Sequence, residues 1–341
     1  AASFSRDAMQ RAGEAMGNAC QAENISILLG PGVNIKRSPI CGRNFEYYSE
    51  DPYLSGQIAA AHIKGIQSKN VGACIKHFAA NNQETRRMTI SSEVDERTLR
   101  EIYLAAFEEA IKEAKPWAVM CSYNQINGVF SSENHWLLTD VLKKEWEYDG
   151  LVVTDWGAVN DRVEGLRAGL DLEMPGSGGT TDSKLVEAVK AGQLPEELLD
   201  DTCARIVSTI MTYAENKEEG AVWNRQEDHK IAVEIAKDCM VLLKNEDNIL
   251  PLSKEKSAVF IGKFAEKPRF QGGGSSHVNT KNCSTVLEQV KTMEQVMYVS
   301  GFDTKDAVTA EEEQLEKQRF HDALAAAKQA EIAVIFAGLP D

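Results

Sequence analysis

From Arg6 to about Ile210, short apolar runs alternate with longer amphipathic stretches, and the runs end in polar or charged residues. Apolar, β-branched runs of four or five residues read as buried strands, and the longer stretches carry a helical period. Helices are expected over 6–21, 54–68, 95–114, 136–146, 182–191 and 196–214, and strands over 25–29, 71–75, 117–121 and 151–154. The segment 169–175 closes a further unit. Strand–helix alternation with short connections requires parallel strands in an α/β fold. An open doubly wound sheet fits the roughly five visible strands, but no glycine-rich fingerprint follows an early strand. The reading adopted for residues 1–212 is a (β/α)8-type barrel whose first portion is missing.

Residues 213–228 are charged and polar and read as a linker. Alternation resumes over 229–341, with a helix at 231–243, strands at 258–262, 296–299 and 332–337, and a helix at 310–329. This second α/β domain stops at a strand end, 338–341, and reads as incomplete.

The formal charge of −15 argues against nucleic acid or an anionic membrane surface as partner. No apolar run reaches membrane-spanning length. Seven cysteines without CxxC spacing give neither a disulfide framework nor a zinc signature, and no cofactor is implied. The expected compartment is reducing, hence cytoplasmic, and homo-oligomerisation is left open.

The strand 151–154 ends in Asp155-Trp156-Gly157. A lone Asp at a strand end usually caps the next turn. At the carboxyl face of a parallel barrel it is also a candidate nucleophile or base. Lys76 and His77 end another strand together. Lys76 is a candidate Schiff-base nucleophile, oxyanion partner or hydroxyl donor, with a buried ion pair as the plain alternative. Arg43, Arg86 and Arg87 lie in loops with acids and aromatics, while Tyr123 and Trp156 follow strand ends. Planar donors, carboxylates and aromatic faces together suit a pyranose, which offers hydroxyls at its edge and C–H groups on its faces. Glu46, Glu84, Glu133 and Glu173 are the other acids near these loops, and any of them is a candidate second carboxylate. Gln271–His277 is a glycine-rich loop without the Lys-Ser/Thr of a phosphate cradle.

Taken in order, LLGPGVNIKRSPICGRNFEYYSEDPYLSG (28–56), KHFAANNQETRRM (76–88), VMCSYNQING (119–128), LVVTDWGAV (151–159), AGLDLEMPG (168–176), VLLKNEDNILPL (241–252) and PRFQGGGSSH (268–277) resemble the glycoside hydrolase family 3 β-glucosidases. The resemblance implies a barrel followed by an α/β sandwich domain, with the active site between them. It makes Asp155 the nucleophile and places Arg43, Lys76, His77, Arg87 and Tyr123 on the glycone sugar. Trp156 becomes the aromatic wall, and Ser275 and Ser276 lie in a loop of the second domain that reaches the site. KHFAANN stands where the N-acetylglucosaminidase branch has a KHFPGHG-like stretch, so that branch is disfavoured.

The family's sugar-binding Asp is expected before residue 1 and its acid/base Glu after Asp341, so no acid/base is assigned. The implied activity is that of a retaining, exo-acting β-glucosidase on β-glucosides or short gluco-oligosaccharides, with slow turnover expected from residues 1–341 alone. A β-xylosidase or another family 3 glycosidase is the near alternative. A Schiff-base lyase using Lys76 and a non-catalytic sugar-binding fragment are the alternatives from other classes.

Overall fold

The structure, a computed structural model, describes residues 1–281, 283–304 and 308–339. It comprises two compact units, Ala1–Val241 and Leu242–Asp341. The first contains α1 (Arg6–Ala22), β1 (Ile27–Leu28), α2 (Pro52–Gln67), β2 (Gly72–Phe78), α3 (Ala105–Ala114), β3 (Ala118–Cys121), β4 (Leu151–Thr154), α4 (Arg162–Ala168), α5 (Thr180–Lys190), α6 (Glu196–Asn216) and α7 (Arg225–Asp238). Wider π-helical turns occupy Leu99–Leu104, just before α3, and Trp136–Glu145.

Strands β1, β2, β3 and β4 are parallel and lie side by side in chain order. Leu172 extends the series through a parallel bridge to Val153. An order without reversal is the winding of a barrel, whereas a doubly wound sheet reverses at its switch point.

Successive strand residues enter two different cores, as their period of two requires. Ala73, Ile75, Val119, Cys121 and Val152 join Ile63, Phe107, Leu138 and other helical residues on the helix-covered face. Cys74, Ala118, Met120, Leu151 and Val153 form the second cluster, which a barrel turns inward. The ladder between β2 and β3 pairs Lys76 with Met120 and then Phe78 with Cys121, leaving His77 as an extra residue. Such a bulge re-aims side chains. Lys76 continues the inward face of Cys74, and Phe78 returns to the helix side, 5.1 Å from Phe107 and 5.7 Å from Trp146 between ring centroids. His77 therefore joins Lys76 without breaking the outer core.

Asp171, completely buried at its side chain, cross-braces β4. Its carboxylate accepts from Val152 N at 2.8 Å, Arg205 Nε at 2.9 Å, Thr202 Oγ1 at 3.2 Å and Lys143 Nζ at 3.3 Å. One charge thus joins β4 to the Trp136–Glu145 helix and to α6.

Helix α1 is capped by Ser5, and α2 by Asp51 with Pro52 at its first position. They cross at Gly13 and Gly65, where a Cβ would stand 2.4 Å from His62 O and 2.2 Å from Gln10 O respectively. The close approach requires residues without side chains.

After α6 the chain is irregular over 217–224 before α7 begins. The helix expected at 231–243 starts earlier, because Asn224 caps it by accepting from Glu227 N at 3.2 Å. It ends at Asp238, and Met240–Leu243 is exposed and non-helical. The apolar run therefore follows the helix instead of forming its buried face.

In the second unit β5 (Ala258–Ile261), β6 (Val296–Val299) and β7 (Ile332–Ile335) form a parallel sheet with β5 central. Helix α8 (Ala310–Gln329) starts in a Thr309/Glu312 capping box and sets Ala323 and Ala326 against Val259 and Ile261. Of the expected strand-end loop 338–341, residues 340 and 341 lie outside the described residues. Among the described residues no helix is long and apolar enough to cross a membrane.

Gly65→Ala is expected to destabilise the first unit by about 1–3 kcal/mol through overpacking. All five tryptophans lie in that unit, so indole fluorescence in urea isolates its transition; an unchanged midpoint would contradict the close crossing. Burial also pulls the pKa of His62 from 6.5 to about 4. Between those values the unfolded chain binds a proton that the folded chain refuses, so stability falls as pH drops. The loss is on the order of 3 kcal/mol by pH 4. His62→Gln should flatten urea midpoints measured across that range, and an unaltered slope would refute the linkage.

Candidate active site

Asp155 leaves the carboxyl end of β4 on the inward face of Val153. It is buried, 7 % exposed. Its Oδ1 accepts from Trp156 N at 2.8 Å, while Oδ2 has no hydrogen-bond partner. Two nitrogen-bearing side chains face Oδ2: His77 Nε2 at 3.4 Å and Arg43 Nη1 at 3.8 Å.

The Arg43 guanidinium is the hub. Its Nε donates to Glu46 Oε1, its Nη2 lies 2.8 Å from His77 Nε2, and its Nη1 faces Asp155. Three separate partners use the planar fork that only Arg provides. Glu46 spans to a second cation through Oε2, 3.3 Å from Lys76 Nζ.

Arginine has no acceptor, so the short contact makes His77 Nε2 the acceptor and places the ring proton on Nδ1. Nδ1 lies 3.2 Å from the Tyr47 hydroxyl, to which it donates. His77 is thus neutral. Burial, followed by the charges of Arg43, Lys76 and Arg87, holds its pKa well below 6.5. Asn34 fixes the same residue from the backbone side: Oδ1 accepts from His77 N at 2.8 Å and Nδ2 donates to His77 O at 2.9 Å.

Tyr123, two residues beyond β3, is buried, and Arg87 lies over its ring at 4.9 Å. Burial and the neighbouring Asp155 charge push the phenol up to about 12, leaving it a hydroxyl donor at neutral pH. Arg87 Nη1 pairs with Glu84 Oε2 at 3.0 Å. Trp156 stands beside Asp155 with 45 % of its surface exposed. Arg43, Lys76, His77, Tyr123 and Arg87 therefore converge around Asp155 within one unit.

The remaining acids have local partners. Glu133 accepts from Asp161 N at 2.7 Å, and Glu173 accepts from Thr181 Oγ1. Ser275 and Ser276 lie in the second unit on an exposed turn, with Ser276 Oγ donating to Gly273 O at 3.0 Å. Sequence reasoning missed Asn34 and Tyr47. Each lies within a few residues of a recognised strand end or loop acid, but neither residue type announces that it will grip a histidine. Among the described residues, no group of three or more His, Cys, Asp or Glu could hold a metal ion.

Residues 1–209 match the glycosyl hydrolase family 3 N-terminal domain, and residues 240–341 match the glycosyl hydrolase family 3 C-terminal domain. The chain belongs to glycoside hydrolase family 3. This family 3 chain is 55% identical over its full length to a protein named thermostable beta-glucosidase B of Acetivibrio thermocellus, of which it covers 45%. It is 42% identical over 99% of its length to an exo-alpha-(1->6)-L-arabinopyranosidase of Bifidobacterium longum, covering 45% of that protein. Its structure resembles a Bifidobacterium adolescentis GH3 beta-glucosidase with TM-score 0.92 and 42% identity, over 99% of this chain and 49% of the other. The TM-score is 0.86 at 34% identity to beta-glucosidase 3B of Thermotoga neapolitana in complex with alpha-D-glucose, over 99% and 51% of the two chains. The family 3 chain spans about half the length of the curated relatives it matches.

Ring-nitrogen NMR of the full chain is expected to report His77 as the neutral Nδ1–H tautomer at pH 6, where an ordinary imidazole is mostly protonated. A protonated His77 at pH 6 would show that Arg43 does not donate to it.

Proposed function

We propose that the protein acts as a retaining, exo-acting β-glycosidase, most specifically a β-glucosidase removing terminal non-reducing β-D-glucosyl residues. The observation that carries this reading is the buried Asp155 carboxylate at a parallel strand end, with Oδ2 free of hydrogen bonds. The similarity to proteins named beta-glucosidase adds to it.

In this reading Oδ2 is the attacking atom, since Oδ1 is committed to Trp156 N. It displaces the aglycone from the anomeric carbon, and water then hydrolyses the covalent glycosyl-enzyme. Arg43, Lys76, His77, Arg87 and Tyr123 bind glycone hydroxyls, and Trp156 supplies an apolar face to the sugar or aglycone. Ser275 and Ser276 are proposed as further substrate-binding residues. His77, neutral and accepting from Arg43, orients donors and does not itself supply the proton. Glu46 is equally unsuited as the general acid, because each of its oxygens faces a cation. The same pair argues against a Schiff-base lyase: Lys76 is engaged as an ammonium by Glu46 and does not present a free amine.

A second glycone deserves a test because of the relative named an arabinopyranosidase. An L-arabinopyranoside is a pentopyranoside without the C6 hydroxymethyl group of glucose, so kcat/KM on aryl glycosides of the two sugars separates the readings.

Asp155→Ala is expected to abolish covalent labelling by an activated 2-fluoroglucoside, read as the intact mass of the full chain. Labelling that persists in the variant would remove Asp155 as nucleophile. Absence of labelling in the parent chain, with retained glucose binding, would instead favour a non-catalytic sugar-binding protein.

A further inference from the structure

Glu46 has no role in the proposed chemistry, yet it touches two of the cations around Asp155. Its Oε1 accepts from Arg43 Nε and its Oε2 faces Lys76 Nζ at 3.3 Å, with only 14 % of its side chain exposed. We infer that Glu46 is a positioning and charge-balancing residue: it aims Arg43 and Lys76 and offsets their charge at Asp155. The inference rests on the glycosidase reading and deepens it.

The geometry supplies both halves of the argument. Arg43 places one nitrogen on Glu46, one on His77 and one toward Asp155, so releasing the first lets the planar fork turn away from the other two. Lys76 is a flexible point charge whose only ion-pair partner among the described residues is Glu46. Without that carboxylate the repulsion between the two cations is no longer offset, and Asp155, already 3.8 Å from Arg43, is left to attract them.

The charges facing Asp155 from each packed element are few. Arg43 comes from the loop after β1, Cys74, Lys76 and His77 from β2, Arg87 with its partner Glu84 from the loop after β2, and Cys121 and Tyr123 from β3 and its end. His77 is neutral, and the two thiols and the phenol are each pushed up to about 12, so none of these changes charge near neutral pH. Facing Glu46 are Arg43, Lys76 and the Tyr47 phenol, which also senses Cys41 and Glu84. Removing the Glu46 charge thus leaves a net positive field on Asp155. That field favours its ionised form and makes it a poorer nucleophile.

The test uses the full chain and 2,4-dinitrophenyl 2-deoxy-2-fluoro-β-D-glucopyranoside. Asp155 forms the C1–O bond while the aglycone bond breaks, and its electron pair leaves with dinitrophenolate, so no general acid is needed. The single-turnover release of dinitrophenolate is followed against pH. Glu46→Gln keeps an acceptor but loses the charge: release should slow about 10-fold, and the acid limb should move down by about half to one pH unit. Glu46→Asp keeps the charge but shortens the reach, so release should slow with the acid limb unmoved. A shared slowing with neither limb displaced means a merely structural role and overturns the inference. So does an unslowed Glu46→Gln. If the parent chain releases no dinitrophenolate and carries no label on Asp155, the glycosidase reading itself fails and takes the inference with it. Indole fluorescence melts of each variant separate misfolding from these outcomes.

Discussion

A buried carboxylate is stable only when its surroundings replace water, and Asp171 meets that condition with a backbone N–H, a hydroxyl and two cations. Removing both cations would leave the charge uncompensated in the interior, a loss of about 3–5 kcal/mol in comparable cases. The constraint reaches beyond itself. Val152, which donates to Asp171, lies three residues before Asp155, and Arg162 on α4 clamps the carbonyls of Leu170 and Asp171. The strand bearing the candidate nucleophile is therefore fixed from two sides and from both neighbouring helices. A reactive group held this way needs little reorganisation when a substrate arrives.

What the sequence made legible follows from periodicity. Buried strands of four apolar residues ending in polar ones place Asp155 and Lys76 on one barrel face by counting in twos. His77, Arg43, Arg87 and Tyr123 were already candidates as polar and aromatic groups at strand ends and in loops, the resemblance placed them on the glycone, and the structure brings them together. The bulge at His77 is different in kind. One residue out of step in a ladder leaves no mark on the hydrophobic pattern, because both phases around it are buried. The tautomer of His77 was equally hidden, since it depends on which nitrogen an arginine 34 positions earlier happens to meet. Loop acids look alike in sequence, so nothing separated Glu46, with its two cations, from Glu133 and its backbone contact. The displaced start of α7 has a similar origin: an Asn cap outside the apolar run decides where the helix begins.

Around Asp155 the three strong cations face three carboxylates: Arg43 and Lys76 share Glu46, with Arg43 also facing Asp155, and Arg87 pairs with Glu84. Such an arrangement presents many directed donors with little net field. It suits a ligand that is rich in hydroxyls and carries no charge, because each donor is already aimed and no counterion has to be displaced. A lone arginine would bind anions in its place. Pairing thus converts a set of charges into a set of oriented hydrogen bonds, and the neutral imidazole among them extends the set without adding charge.

Among the described residues Trp156 is the only exposed tryptophan; Trp117, Trp136, Trp146 and Trp223 are at least partly buried. Its backbone N–H donates to the carboxylate at the centre of the site. The emission of the molecule is thus unevenly distributed, with its most solvent-relaxed, red-shifted contribution arising beside Asp155. A sugar settling on that ring would strip water from it and shift the colour of the light it emits. If sugar binds as proposed, the protein would carry its own optical gauge of occupancy, readable without a label and without any bond being broken.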